Sequence, residues 1–232
     1  MNNFTTNTYE LKREICNFSE KIANGTSKPA KKFVMETQYG LAKGGSCLVS
    51  NMARALDEDI KLNYTIDRLC DNFANLDDEY EKIIWRNYIN EVKKHINTKE
   101  PIAIFDDSDI NKEYSKKLED LDRVRDASSP DKRIVNGYNV CEAVLLSKNT
   151  NQPISVYSKI YSCKSKNFKS KNTYTLDSIK AVENIVGKKF IGIFDRGYDD
   201  KKIFDYMDKK EHSFIVRLED IRTLLFKGKK RV

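Results

Sequence analysis

The stretch PIAIFDDSDINK (residues 101–112) joins a short apolar run directly to a cluster of acidic side chains. The four residues that follow the proline form a continuous apolar segment, as in a strand that is buried on both faces. Asp106, Asp107 and Asp109 come immediately after it. Because like charges at this spacing repel one another, and because burying an unpaired carboxylate is costly, the cluster requires either a nearby cation or open solvent.

A second apolar run ends in the same way, in FIGIFDRGYDD (residues 190–200). The hydrophobic pattern after residue 100 predicts the order strand, strand, strand, helix, strand, helix, strand. Three sequential strands favour an antiparallel meander, and the later strand–helix–strand units favour parallel pairing onto the same sheet. In that order the first and fourth strands lie side by side. We therefore predict that Asp106 and Asp195, at the tips of these two strands, converge.

Each acidic motif also has a plain structural interpretation. Asp106 could cap a turn, and DRGYDD could be a turn in which Asp199 or Asp200 caps the next helix. Paired carboxylates on strand ends are, however, typical ligands of Mg²⁺ or Mn²⁺, which prefer oxygen donors. The two motifs in the right strand order favour a metal site.

The fold class predicted from these patterns is α/β, with two regions. Residues 1–98 read as a helical region: TYELKREICNFSEKIANG (residues 8–25), for example, places its apolar residues at helical spacing and ends in Asn-Gly. Residues 99–232 read as an incomplete ribonuclease H-like mixed sheet with flanking helices. The charged stretch 110–136 is poor in apolar residues and predicts a mobile loop over the sheet.

The net charge of +7 is unevenly placed, since residues 1–100 hold equal numbers of basic and acidic side chains. Lysine is concentrated in residues 148–189, which favours a polyanion, with nucleic acid as the leading candidate. The alternative is a solvated lysine-rich surface. The basic loop predicted to contact DNA contributes Lys164, Lys166, Lys169 and Lys171.

Two short predicted helices in residues 46–76 could form a helix-turn-helix that presents Arg54, Lys61 and Arg68 to DNA. The alternative is an ordinary helical hairpin. We predict Arg54 and Arg68 as DNA-binding residues of the region 1–98.

Several other classes of protein are disfavoured by composition. No apolar run approaches the ~18 residues that a membrane span requires, and the N-terminus lacks the basic-then-apolar order of a signal peptide. The five cysteines are scattered and form no Cys-x-x-Cys pair. They predict the reduced thiols of a cytosolic protein, with no zinc site and no disulfide frame.

Several segments resemble the catalytic domain of bacterial insertion-sequence transposases of the DDE class, namely IFDDSD, LEDLDRVRDASS, GYNVCEAVLLSKNTNQPISVYSKIYS and FIGIFDRGYDD. Upstream, KKFVMETQYGLAKGGSCLVSNMARAL and TIDRLCDNF resemble the helical region before that domain. The resemblance covers residues 30–220. It implies that Asp106, in an Asp-x-Ser motif, is the first catalytic acid, with Asp107 as runner-up, and that Asp195 is the second.

The same resemblance implies a bound Mg²⁺ or Mn²⁺ held by Asp106 and Asp195. It also implies double-stranded DNA as partner, both at the element ends and at the target, and a cytoplasmic, nucleoid-associated bacterial protein with no membrane partner. A homodimer in the complete enzyme is a further expectation. The activity implied is DNA transposition, by metal-dependent phosphodiester cleavage and strand transfer.

The third acid of the family is missing from this pattern. Family members carry a glutamate in a Tyr-x2-Arg-x3-Glu-x6-Lys signature, and no tyrosine here is followed by arginine at the third position. Glu211 and Glu219 lack the required helical context. The resemblance therefore implies a C-terminally truncated transposase that is inactive by itself. Alternatives are a catalytically inactive DNA-binding fragment, another ribonuclease H-like nuclease such as a resolvase, and a reading frame that never folds stably.

Overall fold

The chain forms two compact units, Met1–Glu91 and Val92–Val232. The computed structural model describes residues 3–126, 129–131, 133–218, 224–226 and 229–231, with side chains described between residues 9 and 218. Glu219 and the side chains of the basic C-terminal tail lie outside the described residues. All five cysteines are free thiols in the structure. Among the helices described, none has the length and apolar content that crossing a bilayer requires.

The described part of the first unit is helical, as its periodicity predicts. The helices are α1 (Asn3–Ile22), α2 (Lys28–Gly44), α3 (Val49–Leu56), α4 (Leu62–Ala74) and α5 (Asp78–Val92). Local sequence fixes the ends of α2: the Ser27 hydroxyl accepts a hydrogen bond from the Ala30 N–H, and Gly45 ends the helix in the left-handed conformation, with φ 60°. Phe33, Met52 and Leu69 form the core between α2, α3 and α4.

An ion-pair network joins α2 to α4 beside this core. The guanidinium of Arg68 binds the nearly buried carboxylate of Glu36, and its other terminal nitrogen lies 2.7 Å from a Glu58 oxygen. The Thr65 hydroxyl donates a 2.8 Å hydrogen bond to the same Glu58 oxygen. Arg68, predicted to contact DNA, is therefore part-buried and bound to two carboxylates.

The second unit contains a six-stranded mixed sheet in the order β2-β3-β1-β5-β6, with β4 also pairing with β3. β1 is antiparallel to β3 and parallel to β5, and β5 is parallel to β6. This is the ribonuclease H-like order, so the predicted fold class is confirmed. The strands are β1 (Ile102–Asn111), β2 (Asp122–Arg125), β3 (Ile134–Leu146), β4 (Pro153–Tyr161), β5 (Ile191–Phe194) and β6 (Ser213–Val216), and a separate hairpin follows, of β7 (Leu224–Phe226) and β8 (Lys229–Arg231).

Two helices complete this unit, α6 (Lys171–Val186) and α7 (Lys201–Lys209). α6 packs on β1, β3 and β4, and α7 packs on β6 and α6. Ile179 and Val182 of α6 are fully buried against this face of the sheet. The helix in each strand–helix–strand unit carries the chain back to the end of the sheet where the preceding strand began, so β5 and β6 run parallel.

The prediction of a mobile loop over residues 110–136 is wrong in part. β1 extends to Asn111, and β2 within this stretch pairs with the start of β3. Gly137 permits the arrangement: a Cβ there would lie 2.4 Å from the Ile110 carbonyl oxygen and 2.6 Å from a Val124 methyl carbon. The short strand DRVR alternates buried and exposed residues, a signal too brief to stand out in a charged stretch.

Glu58→Gln tests the α2–α4 network through pH. The hydrogen bond from Thr65 and the charge of Arg68 lower the pKa of Glu58, against the effect of burial. A lowered folded-state pKa contributes stability above the ordinary pKa and loses it as pH falls through the folded-state value. We expect the variant to lose about 1 kcal/mol of unfolding free energy at pH 7 and progressively less below pH ~4.5, measured by urea unfolding.

Glu10→Gln, at an exposed position of α1, is the matched control and should change little at either pH. A loss for Glu58→Gln that stays constant across this pH range would contradict an electrostatic role and indicate lost packing instead.

Candidate active site at the ends of two parallel strands

Parallel pairing of β1 and β5 brings Asp106 and Asp195 together. Phe105 is the register partner of Phe194, so the next residue on each strand occupies the neighbouring position. The two phenylalanine rings stack, with centroids 4.7 Å apart and planes 9° apart. Because both rings point into the core, they fix the relative height of the two strands at the level of the aspartates.

The two aspartates do not have equivalent surroundings. The prediction that Asp106 lies at a strand tip is wrong: it lies inside β1, paired with Glu142 of β3, because antiparallel pairing with β3 continues to Asn111. Asp195 does end its strand, and its carboxylate accepts a 2.7 Å hydrogen bond from the Gly197 N–H in a short 3-10 turn. Asp200 caps α7, as the structural interpretation of DRGYDD predicts.

The negative charges of Asp106 and Asp195 repel each other. Partial burial raises the pKa of Asp106, and the negative charges of Asp195 and Glu142 raise it further. A hydrogen bond from the backbone of Asp107 offsets part of this effect. The fold therefore holds carboxylates closer together than their charges favour.

Glu142 is the acidic residue at this site that the sequence patterns missed. It lies opposite Asp106 on the adjacent strand, and both side chains point to the same face because antiparallel register partners do so. A signal was present in the sequence: Glu142 is the one charged residue of the otherwise apolar run VCEAVLL. Finding its partner required the register between β1 and β3.

Asp107 points to the opposite face of β1, since successive strand residues alternate. There Asp107 lies beside its register partner Cys141, and the positive charge of Lys171 acts on its carboxylate. Burial nevertheless raises the pKa of Asp107. Burial, with Asp107 nearby, raises the pKa of Cys141 to about 12, so this thiol stays protonated. The buried Tyr198 hydroxyl lies beside the same carboxylate, outside hydrogen-bond geometry.

A metal ligand set is present only in part. Within the described residues, no group of three His, Cys, Asp or Glu side chains is arranged to hold a metal ion. Asp106 and Asp195 supply oxygen donors only, and a cation would relieve their repulsion, so this pair fits a hard divalent ion such as Mg²⁺ or Mn²⁺. Glu211 lies elsewhere: it pairs with Lys189 at 2.6 Å, near the opposite end of β5.

The basic loop between β4 and α6 is held in place by an aromatic stack. The ring of Phe168 lies parallel to that of Tyr161, with centroids 6.2 Å apart, and Tyr161 stacks on Tyr174 at 4.3 Å. At the start of the loop, the Cys163 N–H donates a 2.8 Å hydrogen bond to Asp122. The loop therefore has a defined conformation, and four exposed lysines project from it and from the first residue of α6: Lys164, Lys166, Lys169 and Lys171.

The two arginines predicted to bind DNA from the helical unit differ in accessibility. Arg54 is exposed on α3, where it hydrogen-bonds to the Ser50 carbonyl and the Asn51 side chain. Arg68 is bound to Glu36 and Glu58, and the fully exposed side of α4 includes Asp67 and Asp71.

Comparison with protein-family models gives no match, and comparison with curated protein sequences gives none either. Among solved structures, the chain is similar to piggyBac transposase in a cryo-EM synaptic complex with hairpin DNA, with TM-score 0.48 and 10% sequence identity. The match covers 92% of this chain and 49% of that one, so the chain spans about half the length of its structural neighbour.

Asp106→Asn tests whether the acid pair is held against repulsion. A carboxylate whose folded-state pKa is raised costs stability once it ionises, and that cost disappears as pH falls through the folded-state pKa. The variant should therefore melt higher than wild type at pH 7, by less than about 3 °C because solvent screens these charges. The gain should vanish near pH ~4; thermal melts at both pH values measure it.

Asp177→Asn provides the control, because Asp177 is paired with Lys180 at 3.1 Å and should give no gain. A lower melting temperature for Asp106→Asn at pH 7 would show that Asp106 stabilises the fold and is not under repulsion.

Proposed function

We propose that this chain is the N-terminal and partial catalytic portion of a DDE transposase, acting in DNA transposition by metal-dependent phosphodiester cleavage and strand transfer. The single observation that carries the proposal is the meeting of Asp106 and Asp195 on adjacent parallel strands of a ribonuclease H-like sheet. On this proposal, residues 1–98 form a DNA-binding region, and residues 99–232 form a partial ribonuclease H-like catalytic domain.

Asp106 and Asp195 would hold Mg²⁺ or Mn²⁺. When bound, such ions supply activation of an attacking water or 3′-hydroxyl and stabilisation of the leaving oxygen of the phosphodiester. The protein's own contribution is to fix two carboxylates on rigid strand positions, which limits the reorganisation needed to bind the ion. Glu142 adds negative charge on the same face and is the nearest further oxygen donor that the register identifies.

Double-stranded DNA is the proposed partner, as element end and as target. Lys164, Lys166, Lys169 and Lys171 are exposed on an anchored loop and are suited to phosphate contacts. Arg54 is retained as a DNA contact in the helical unit, whereas Arg68 is better explained as a structural residue of the α2–α4 network. We also propose that the complete enzyme is a homodimer. Its proposed location is nucleoid-associated, in a bacterium.

The alternative function is DNA binding without catalysis. It is favoured by the ligand count, because the described residues contain no group of three metal-binding side chains. Two aspartates cannot easily hold two ions in the geometry of in-line attack, and small misplacements cost ~10²-fold in rate. Both functions require the basic loop, whereas only catalysis requires the acid pair.

Mn²⁺ should raise the melting temperature of the wild-type chain. At a concentration tenfold above its dissociation constant, stabilisation is about 1.4 kcal/mol, or ~3 °C. Asp195→Asn should abolish the shift, since the amide keeps an acceptor for the Gly197 N–H and loses the charge. Asp107→Asn, on the other face of β1, should keep the shift.

Equal Mn²⁺ shifts in wild type, Asp106→Asn and Asp195→Asn would remove the acid pair as a metal site. A shift lost in Asp107→Asn and kept in Asp106→Asn would make Asp107 the first acid. Nicking of duplex DNA in Mn²⁺ then separates the two functions: DNA binding without nicking supports the alternative for this chain, and nicking lost in Asp106→Asn supports the enzyme.

DNA binding should depend on the charges of the basic loop and on its anchoring. Replacing all four lysines with glutamine should lower the slope of log affinity against log salt by up to about 3.6, at ~0.9 per phosphate contact. Phe168→Ala keeps every charge and loosens the loop, so it should weaken binding by roughly 5-fold to 10-fold with an unchanged slope. Fluorescence anisotropy with a short duplex measures both.

A quadruple lysine variant that keeps the wild-type slope would place the DNA elsewhere on the protein. Absence of binding by the wild-type chain at low salt would overturn both functions together.

A further inference from the structure

A groove of about 380 Å³ runs along the C-terminal half of β1, next to the acid pair. Its β1 wall consists of Asp107, Ser108 and Asp109. Asp107 directly follows Asp106, so their Cα atoms are ~3.8 Å apart. Because β1 continues past Asp106, the groove and the acid pair share one rigid strand.

Three cationic side chains from two other elements line this groove. Arg123 and Arg125 come from β2, and Lys171 is the first residue of α6. Val124 between the arginines is buried, so alternation along the strand exposes both guanidinium groups. Arg123 donates one hydrogen bond to the Ile134 carbonyl, which leaves further N–H donors of its planar group for a ligand.

The backbone that carries these cations is fixed at both ends. β2 pairs with β3 from Asp122 to Arg125, and Gly137 admits Val124 at close range. The Asp122 carboxylate accepts hydrogen bonds from the backbone N–H groups of Arg123 and Cys163, so β2 is tied to the start of the basic loop. Arg123 and Arg125 therefore belong to a preformed surface continuous with the lysine loop.

The groove carries more positive than negative charge, because three cationic side chains and two carboxylates line it. Asp107 is engaged by the Cys141 thiol and by the charge of Lys171, and against Asp107 and Asp109 stand three cations. Arginine recognises phosphate through two parallel N–H donors, which a surface lysine cannot do. Ser108 and Asn139 add neutral polar groups suited to a sugar–phosphate backbone.

We infer that this groove binds phosphodiester groups of a nucleic-acid strand through Arg123, Arg125 and Lys171, and so guides the backbone toward Asp106. The inference rests on the proposed function and adds to it a contact surface on β2, which adjoins the lysine loop and shares Lys171 with it. Its consequence is that DNA contacts extend along β1 beyond Asp106, to the arginines of β2.

The test compares Arg123→Gln/Arg125→Gln with Lys209→Gln/Lys210→Gln. The control pair removes the same charge from the exposed end of α7, beside the strand ends opposite the acid pair. Binding of a short duplex is followed by anisotropy between ~50 and ~200 mM NaCl. We expect the arginine variant to lower the salt slope by about 1 to 2 and the lysine control to leave it unchanged.

Arg123→Lys/Arg125→Lys should restore the slope while recovering only part of the affinity, because charge returns without the paired donors. Thermal melts confirm that each variant folds. Wild-type binding with equal slopes in the arginine and control variants would overturn this inference alone, whereas no wild-type binding at low salt would overturn the proposed function as well. Stabilisation by inorganic phosphate that needs the arginines, with DNA binding unaffected by them, would assign the groove to free phosphate and overturn the inference.

Discussion

The parallel pairing of β1 with β5, locked by the stacked rings of Phe105 and Phe194, is the constraint on which the site depends. Stacking places the two strands at one height, and each strand then contributes its next residue, an aspartate. Aromatic rings bury a large apolar area in a defined geometry, so the core stabilises this register independently of the charges beyond it. That stabilisation offsets the cost of placing Asp106 where partial burial, and then the charge of Asp195, raise its pKa.

Strand alternation separates the acidic cluster into two environments. Asp106 faces Glu142 and Asp195, where negative charges accumulate. Asp107 faces Cys141 and the positive charge of Lys171, although burial still raises the pKa of Asp107. A single strand therefore presents an anionic surface suited to a cation on one side. Beyond Asp106, the same strand borders a groove with an excess of positive charge. Asp106 and Asp107 are consecutive residues, so the proposed metal site and the proposed phosphate contacts adjoin each other along β1.

Basic residues have two distinct uses in this fold. Arg68 joins α2 to α4 by binding Glu36 and Glu58, and it adds to the packing of the helical unit. The lysines of the loop before α6 project into solvent from a backbone that Phe168 holds in place. Accessibility, which depends on the partners that the fold supplies, decides between these uses.

The sequence by itself determined the kinds of elements, their order and the acidic motifs. Helical spacing identified the first unit, short apolar runs identified the strands, and the strand–helix order predicted that Asp106 and Asp195 would meet. These features depend on residues close together in the chain, where hydrophobic period and turn chemistry carry the information.

Only the tertiary structure decided the features that depend on pairing between distant segments. Each of these features required a partner far along the chain: the extension of β1 to Asn111, the pairing of β2 with β3, the position of Glu142 opposite Asp106 and the ion pairs of the part-buried Arg68 with two glutamates. A charged strand such as β2 lacks a strong local signal, because cross-strand hydrogen bonds and a close approach at Gly137 hold it in the sheet. Strand register is a relation between two segments, and neither segment contains it alone.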